Sequence, residues 1–281
     1  MASTLAAVAR PRLVYLPFRA MAETSRMMLA HGGIEYDDEA IWGAEFQRRK
    51  ATGEFPWGKT PVLQLAGAGR TVAQSGAIAR WSARRAGCYP TSPARAALAD
   101  SVYELGQELC TINPLVNCYT GRHFERIRHH YFSDVMPQAL PQLERELERA
   151  AAAGAPAGGG VSPFRPGEVN FASGSVGEEE VGPREGAAAA DEPTLADFNI
   201  FHHLDNAQLL EPDLLHGYPA LLRWQERMRA LPRLQLFLEN RPVLNGIGED
   251  PGLEDRQGVR VTQRSPEGQA WLRDGLWCFD D

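Results

Sequence analysis

The sequence predicts a two-part chain of 281 residues, a small α/β domain over residues 1–90 and an all-helical domain over residues 91–245, with a C-terminal extension over 246–281. Three observations carry this reading. Strand and helix signals alternate at short intervals from residue 12 to residue 90. From Ser92 onward the apolar residues recur only at helical period. A stretch near 154–192, rich in Gly, Ala, Pro and Glu, interrupts the second part before helices resume.

In the first part, Leu13-Val14-Tyr15-Leu16 is a short strand stopped by Pro17. A helix follows from about Ala22 to His31, ended by Gly32-Gly33. Ile34 to Asp38 alternates as a second strand, and Phe46 to Ala51 suggests a short helix before the loop Gly53-Glu54-Phe55-Pro56-Trp57-Gly58. Val62 to Leu65 and Thr71 to Ala73 pair as a hairpin across Ala66-Gly67-Ala68-Gly69. A helix from Ser75 to Ala86, stopped by Gly87, completes the order β-α-β-α-β-β-α.

In the second part, Ser92-Pro93 reads as an N-cap with proline at the first helical position, opening a helix through Leu109. Another spans about Arg122 to Ala153, where Pro137 and Pro141 are expected to kink it. The 154–192 stretch is too poor in large apolar groups to build a core and is expected to be a mobile surface loop, ordered only at Val169-Asn170-Phe171-Ala172. Thr194 and Asp197 form a capping box, and Leu195, Phe198 and Phe201 bury the helix that follows. Tyr218-Pro219 and Leu231-Pro232 start two further helices. The apolar end of the extension, Trp271, Leu272, Leu276, Trp277 and Phe279, is expected to dock on the body.

Composition excludes several classes of function. A net charge of -7 and a pI near 5.6 leave no basic stripe for nucleic acid. No apolar run approaches the ~20 residues that cross a bilayer, so no membrane is expected as a partner. The opening MASTLAAVARPR is too short for a signal peptide, which makes a cytoplasmic location the expectation. Cys88, Cys110, Cys118 and Cys278 show neither C-x-x-C nor metal-ligand spacing. The adjacent pairs His129-His130 and His202-His203 point to different helix faces, so no metal site is expected; His123 adds no partner. Glu178-Glu179-Glu180 reads as a solvated run.

The candidate site lies between Lys59 and Ile78. Pro61 cannot donate to a β ladder, so at a strand entrance it leaves neighbouring backbone groups free for a ligand. Ser75 opens a helix whose unpaired N–H groups favour a carboxylate. The only lysines of the chain, Lys50 and Lys59, fall beside this segment. Together these features suit a small anionic peptide.

From Leu13 to Pro90 the residues closely resemble the glutathione S-transferase family, most of all its sigma class, with Tyr15, Glu23, Arg26, Tyr36, Gly58, Pro61, Gln74, Ser75, Ile78 and Ala79-Arg80 at matching places. The resemblance implies a thioredoxin-like N-terminal domain that binds glutathione as co-substrate and an all-helical domain that receives a small hydrophobic electrophile, in a homodimer. It makes Tyr15 the catalytic residue, whose hydroxyl would stabilise the glutathione thiolate. It assigns the γ-glutamyl carboxylate to Gln74 and Ser75, the cysteinyl part to Thr60 next to a cis-Pro61, and the glycyl carboxylate to Lys59 and Lys50, flanked by Phe46 or Trp42. Glu104, with Asp100 one turn before it, would reach the γ-glutamyl amine of a second copy. One departure stands out: Met21 occupies the place where many sigma-class members carry an arginine that polarises the tyrosine, and Arg19, two residues earlier, lies on a structural side.

The implied activity is conjugation of glutathione to electrophiles, as in detoxification, with isomerase, peroxidase and prostaglandin-D-synthase-type chemistry as variants. The competing reading is a non-catalytic ligand-binding or crystallin-like structural protein on the same fold. A thiol-disulfide oxidoreductase is disfavoured because Phe18 and Arg19 stand near where a redox cysteine would be.

Overall fold

In the computed structural model the described residues are 10–16, 19–41, 43–66, 69–111, 124–153, 192–248 and 252–254. Four strands, β1 (Arg12–Tyr15), β2 (Asp37–Ala40), β3 (Val62–Gln64) and β4 (Thr71–Ala73), form one sheet in the order β2-β1-β3-β4. β1 and β2 run parallel, and the other pairings are antiparallel. The parallel pair is joined by helix α1 (Ala20–Gly32), the crossover that a parallel connection requires. Helix α2 (Gly43–Ala51), a 3-10 turn (Pro56–Gly58) and helix α3 (Ser75–Ala86) complete the predicted order. Leu13, Val14, Val62 and Leu63 are fully buried in the two central strands.

The second strand lies three residues later than its alternation suggests. Gly33 ends α1 in the left-handed conformation at φ 64°, and the Ile34 N–H is spent on the Leu29 carbonyl, closing the helix. Pairing therefore begins only at Asp37. The strand that results is an acidic edge, whose carboxylates are met by Arg12, Arg26 and Arg49. This is how an exposed edge is kept from further pairing.

The helical part comprises α4 (Pro93–Thr111), α5 (Phe124–His130), a π turn (Tyr131–Val135), α6 (Met136–Ala153), α7 (Leu195–Ala207), α8 (Pro219–Ala230) and α9 (Pro232–Asn240). The irregularity expected at Pro137 and Pro141 is placed earlier, in the π turn, where the Met136 N–H bonds the Tyr131 carbonyl. Pro137 is then in the first turn of α6, where its missing N–H costs little; Pro141 stands inside the helix. Val169–Ala172 and the apolar end of the extension lie outside the described residues, as do Trp42, His123, Cys118 and Cys278.

Helix α7 is the centre of the core. Its N-terminus carries the predicted capping box: the Asp197 carboxylate accepts from the Thr194 N–H at 2.8 Å and the Thr194 hydroxyl at 2.7 Å. The other carboxylate oxygen accepts from the Trp224 indole at 2.9 Å, so one buried acid fixes both the start of α7 and the packing of α8. α4 crosses α7 at Gly106, where an added Cβ would lie 1.6 Å from Asn199 Oδ1. Asn199 cannot easily yield, being buried and donating to Thr24 Oγ1 at 3.2 Å. Gly106→Ala is expected to destabilise the fold by about 1–3 kcal/mol, read as a lowered urea midpoint at unchanged slope.

Beyond α9 the chain is held by two arginines. Arg241 donates to Glu23 Oε1 at 3.0 Å and also pairs with Asp205, which accepts from Arg229 at 3.0 Å. Arg19 donates to Asn206 Oδ1 at 3.2 Å and to the Pro242 carbonyl at 2.8 Å. Next, β5 (Val243–Asn245) pairs antiparallel with β6 (Gly252–Glu254), which lies in the extension.

Candidate functional site

The sheet register brings the predicted residues to one end. Val14 pairs with Val62, and Val62 with Ala73. Tyr15, Pro61 and Gln74 each stand one residue further toward the same end, so three adjacent strands present them as a row. The Thr60–Pro61 peptide is cis, as the resemblance implies, and both residues precede the first ladder position of β3.

Tyr15 is 5% exposed, and its phenolic oxygen accepts the Met21 backbone N–H at 3.3 Å. Burial pushes its ionisation above the usual tyrosine range, although the Met21 hydrogen bond pulls the other way. The phenol therefore stays neutral with its proton available for donation. The Arg26 guanidinium carbon lies 5.9 Å from the ring centroid. The Met21 side chain points to sulfur rather than charge: its Sδ is 3.1 Å from Cys110 Sγ. Burial pushes the Cys110 thiol up to about 12, which makes it a packing group, not a nucleophile.

Helix α3 begins at Ser75, as the sequence predicts, and Gln74 before it is the N-cap residue. Gln74 holds φ 76° and ψ 119°, a region that L residues rarely occupy. Such strain persists only where the surroundings enforce it, here the joint between β4 and α3. The Ser75 hydroxyl donates to Gln107 Oε1 at 3.5 Å. Arg80, one turn into α3, donates to Asp100 at 2.9 Å and to Glu104 at 2.6 Å, so Glu104 is engaged within its own chain while remaining exposed.

The lysine side of the row rests on a residue that the sequence reading passed over. Arg49 is buried, donating to Glu39 at 2.6 Å and to Glu54 at 2.8 Å, and Glu54 also accepts from Gln64 of β3 at 3.3 Å. This guanidinium joins β2, α2 and the loop before β3. Its neighbour Lys50 is exposed, with Nζ 6.0 Å from the Phe46 centroid; Phe46 stacks on Phe55 at 5.7 Å. Lys59 is also exposed, in the loop that follows Trp57, itself at φ 62° and 79% exposed. In the sequence its neighbours Arg48 and Lys50 give no sign that Arg49 is the doubly paired one, because its partners lie up to 10 positions away.

No group of three or more potential metal ligands occurs among the described residues. The histidine pairs divide: His129 and His130 are exposed, whereas His202 and His203 are buried in α7 with their rings 4.9 Å apart. Among the described residues no helix is long and apolar enough to cross a membrane.

A family model described as the C-terminal domain of glutathione S-transferase matches residues 184–241. The chain is 27% identical over 233 residues to a hematopoietic prostaglandin D synthase of Gallus gallus, covering 82% of this chain and 96% of the relative. It is 26% identical over 245 residues to a glutathione S-transferase of Dirofilaria immitis, covering 85% and 98%. Its fold is shared with the Pi-class glutathione S-transferase of Onchocerca volvulus at a TM-score of 0.63 and 24% identity, over 82% of this chain and 92% of that one.

Proposed function

We propose that this chain, which belongs to the glutathione S-transferase family, binds glutathione along the row Tyr15, Pro61 and Gln74 and transfers its thiolate to a small hydrophobic electrophile. The observation that carries this is the row itself. A neutral buried hydroxyl, a ladder-free backbone segment and a helix N-terminus stand side by side at one sheet end. They match, in order, the thiol, the peptide backbone and the γ-glutamyl carboxylate of one extended tripeptide.

Tyr15 donates its proton's hydrogen bond to the sulfur, which favours the anion and lowers a thiol pKa that is otherwise ~8.5. The thiolate then attacks an electrophilic carbon; a C–S bond forms, and the leaving group departs or a strained ring opens. Met21 supplies no guanidinium, but its backbone N–H, in the first turn of α1, takes one lone pair of the phenol oxygen and leaves the proton aimed elsewhere. Gln74 and Ser75 take the γ-glutamyl carboxylate, Thr60 the cysteinyl backbone, and Lys50 and Lys59 the glycyl carboxylate, with Phe46 alongside.

Within the family the reading is sigma-like, consistent with the prostaglandin D synthase among the relatives, and the location cytoplasmic. The active form is a homodimer, in which Glu104 turns toward the second copy's glutathione. Exposed Trp57 and a groove between α4 and α6, where Leu98, Val102, Leu105 and Leu143 alternate with polar residues such as Gln142, Arg145 and Glu146, leave a mixed surface for that contact. Buried Cys88 and Cys110, both with thiols raised by burial, argue against dithiol redox chemistry.

Two measurements test this. Calorimetric titration with glutathione is expected to show binding, and a chlorodinitrobenzene is expected to be conjugated. Binding without turnover would favour the ligand-carrier reading, and absence of binding would remove both. Arg49→Met is expected to weaken glutathione roughly fivefold, about 1 kcal/mol, with kcat little changed, because it loosens the seat of Lys50 and leaves the sulfur site alone.

A further inference from the structure

Lys50 and Lys59 are the only lysines in the chain, and every other positively charged side chain is an arginine. The structure brings these two amine-bearing residues to one place. Lys50 comes from the end of α2 and Lys59 from the loop ahead of β3, two segments that Arg49 ties together through Glu39 and Glu54. The Lys50 stem lies along Gly58, the residue before Lys59: a Cβ built on Gly58 would come 3.1 Å from Lys50 Cε and 3.9 Å from its Cγ. Gly58 holds φ 63°, so both its conformation and this close approach favour glycine there.

The two lysines differ from the arginines beside them in having no counter-charge. Arg48 pairs with Glu45 at 2.7 Å, and Arg49 with Glu39 and Glu54. Among the described residues no ion pair includes Lys50 or Lys59, and both are exposed. The Lys50 ammonium meets only the Phe46 ring, 6.0 Å from its centroid. Two unpaired cations on a chain of net charge -7 make a local attractor for small anions. An amine, unlike a guanidinium, can also shed its proton and act as a nucleophile.

We propose that Lys50 and Lys59 form an acylation site for anionic acyl donors of the acyl phosphate class, and that acylation there switches off glutathione binding. This rests on the glutathione reading above, which gives the glycyl carboxylate to the same two amines. The free Nζ attacks the acyl carbon; an N–C bond forms, the bond from that carbon to the phosphate oxygen breaks, inorganic phosphate leaves and the nitrogen releases one proton. The product is a neutral amide that no longer pairs with a carboxylate. Because no other side chain carries an amine, every side-chain amine that can be acylated lies at this end of the cleft.

The test treats the full chain with acetyl phosphate, locates the acetyl groups by peptide mass spectrometry and measures glutathione affinity by calorimetry before and after. Acetyl groups are expected on Lys50 and Lys59, at a rate that added glutathione slows. The affinity is expected to fall by about tenfold, as when a charged hydrogen bond is lost. A Lys50→Arg, Lys59→Arg double variant keeps both cations without an amine. Whatever its own affinity, the reagent is expected to change it by less than about twofold, since a carboxylate still meets guanidinium groups. An acetylated wild type that binds glutathione as tightly as before, acetyl groups absent from both lysines, or an equal loss in the double variant overturns the proposal and leaves the glutathione reading standing. Failure of the untreated wild type to bind glutathione overturns both.

Discussion

Tyr15→Phe is expected to lower the conjugation rate at neutral pH by roughly 10²-fold or more, the usual contribution of a positioned proton donor, while glutathione still binds. The asymmetry follows from where the hydroxyl sits. Tyr15 is at one end of the row, and in the proposed placement other elements meet the peptide's two carboxylates, so its loss is expected to remove stabilisation of the sulfur anion and little else. The pH dependence carries the sharper signature. With the hydroxyl present, the acid limb of kcat/KM is expected well below the ~8.5 of an unperturbed thiol; in Tyr15→Phe it moves back toward that value. The phenol itself contributes no titration in this range, because burial holds it neutral. A profile with the same acid limb in both proteins would show that Tyr15 merely packs.

The fold is expected to lose stability steeply as the pH falls below about 6.5, because His202 and His203 are buried as neutral rings. Burial pushes His202 down to about 3, helped by Arg241 and Arg19 and opposed by Asp205; burial and His202 push His203 well below its ordinary value. Each ring is thus unprotonated in the folded protein while the unfolded chain takes up a proton near pH 6.5. Their contribution is complete above that pH and is lost as the pH falls toward their folded values. Each costs up to about 1.4 kcal/mol per pH unit, so the pair gives roughly 2–3 kcal/mol per unit between about pH 6 and 5. Glu23 and Asp205 act in the same direction but lower. Burial alone would raise both carboxyls, yet Arg241 holds both down, aided by Arg26 at Glu23 and by Arg229 at Asp205. Their contribution is lost only as the pH falls through those depressed values, below the ordinary 4.5 and 3.8. Urea unfolding at a series of pH values checks this: the slope is expected to flatten in a His202→Gln, His203→Gln double variant, and a wild type equally stable at pH 7 and 5.5 would refute it.

How much of this was legible in the sequence depends on the range of the interaction. The β-α-β-α-β-β-α order, the Thr194 and Asp197 capping box and the helix stop at Gly33 rest on neighbours within a few residues, and periodicity or cap chemistry was enough. The second strand was misplaced because the closing bond from Ile34 to Leu29 consumes residues that alternate like a strand. Ser75 opens α3 as its residue type suggests, but the glutamine before it takes a positive-φ conformation that its residue type does not signal. The clamp between Glu23 and Arg241 spans 218 positions, and nothing local marks either as paired. Likewise His129-His130 and His202-His203 look alike in sequence; only the placement of α7 at the core centre, against the exposed α5, makes one pair solvated and the other a titrating load. At the site, Tyr15, Pro61 and Gln74 were suggested by resemblance, and the register supplies the physical reason that they share one end of the sheet. Arg49 has no local signal, since it acts by the elements that it holds together.

The proposed site holds glutathione with its thiol ionised beside the Tyr15 hydroxyl. The most direct measurement is the ultraviolet absorbance of the bound thiolate, titrated against pH in the wild type and in Tyr15→Phe. The predicted midpoint lies at least about one unit below the ~8.5 of a free thiol in the wild type and returns toward it in the variant. A bound thiol that titrates at its free value in the wild type would contradict the account.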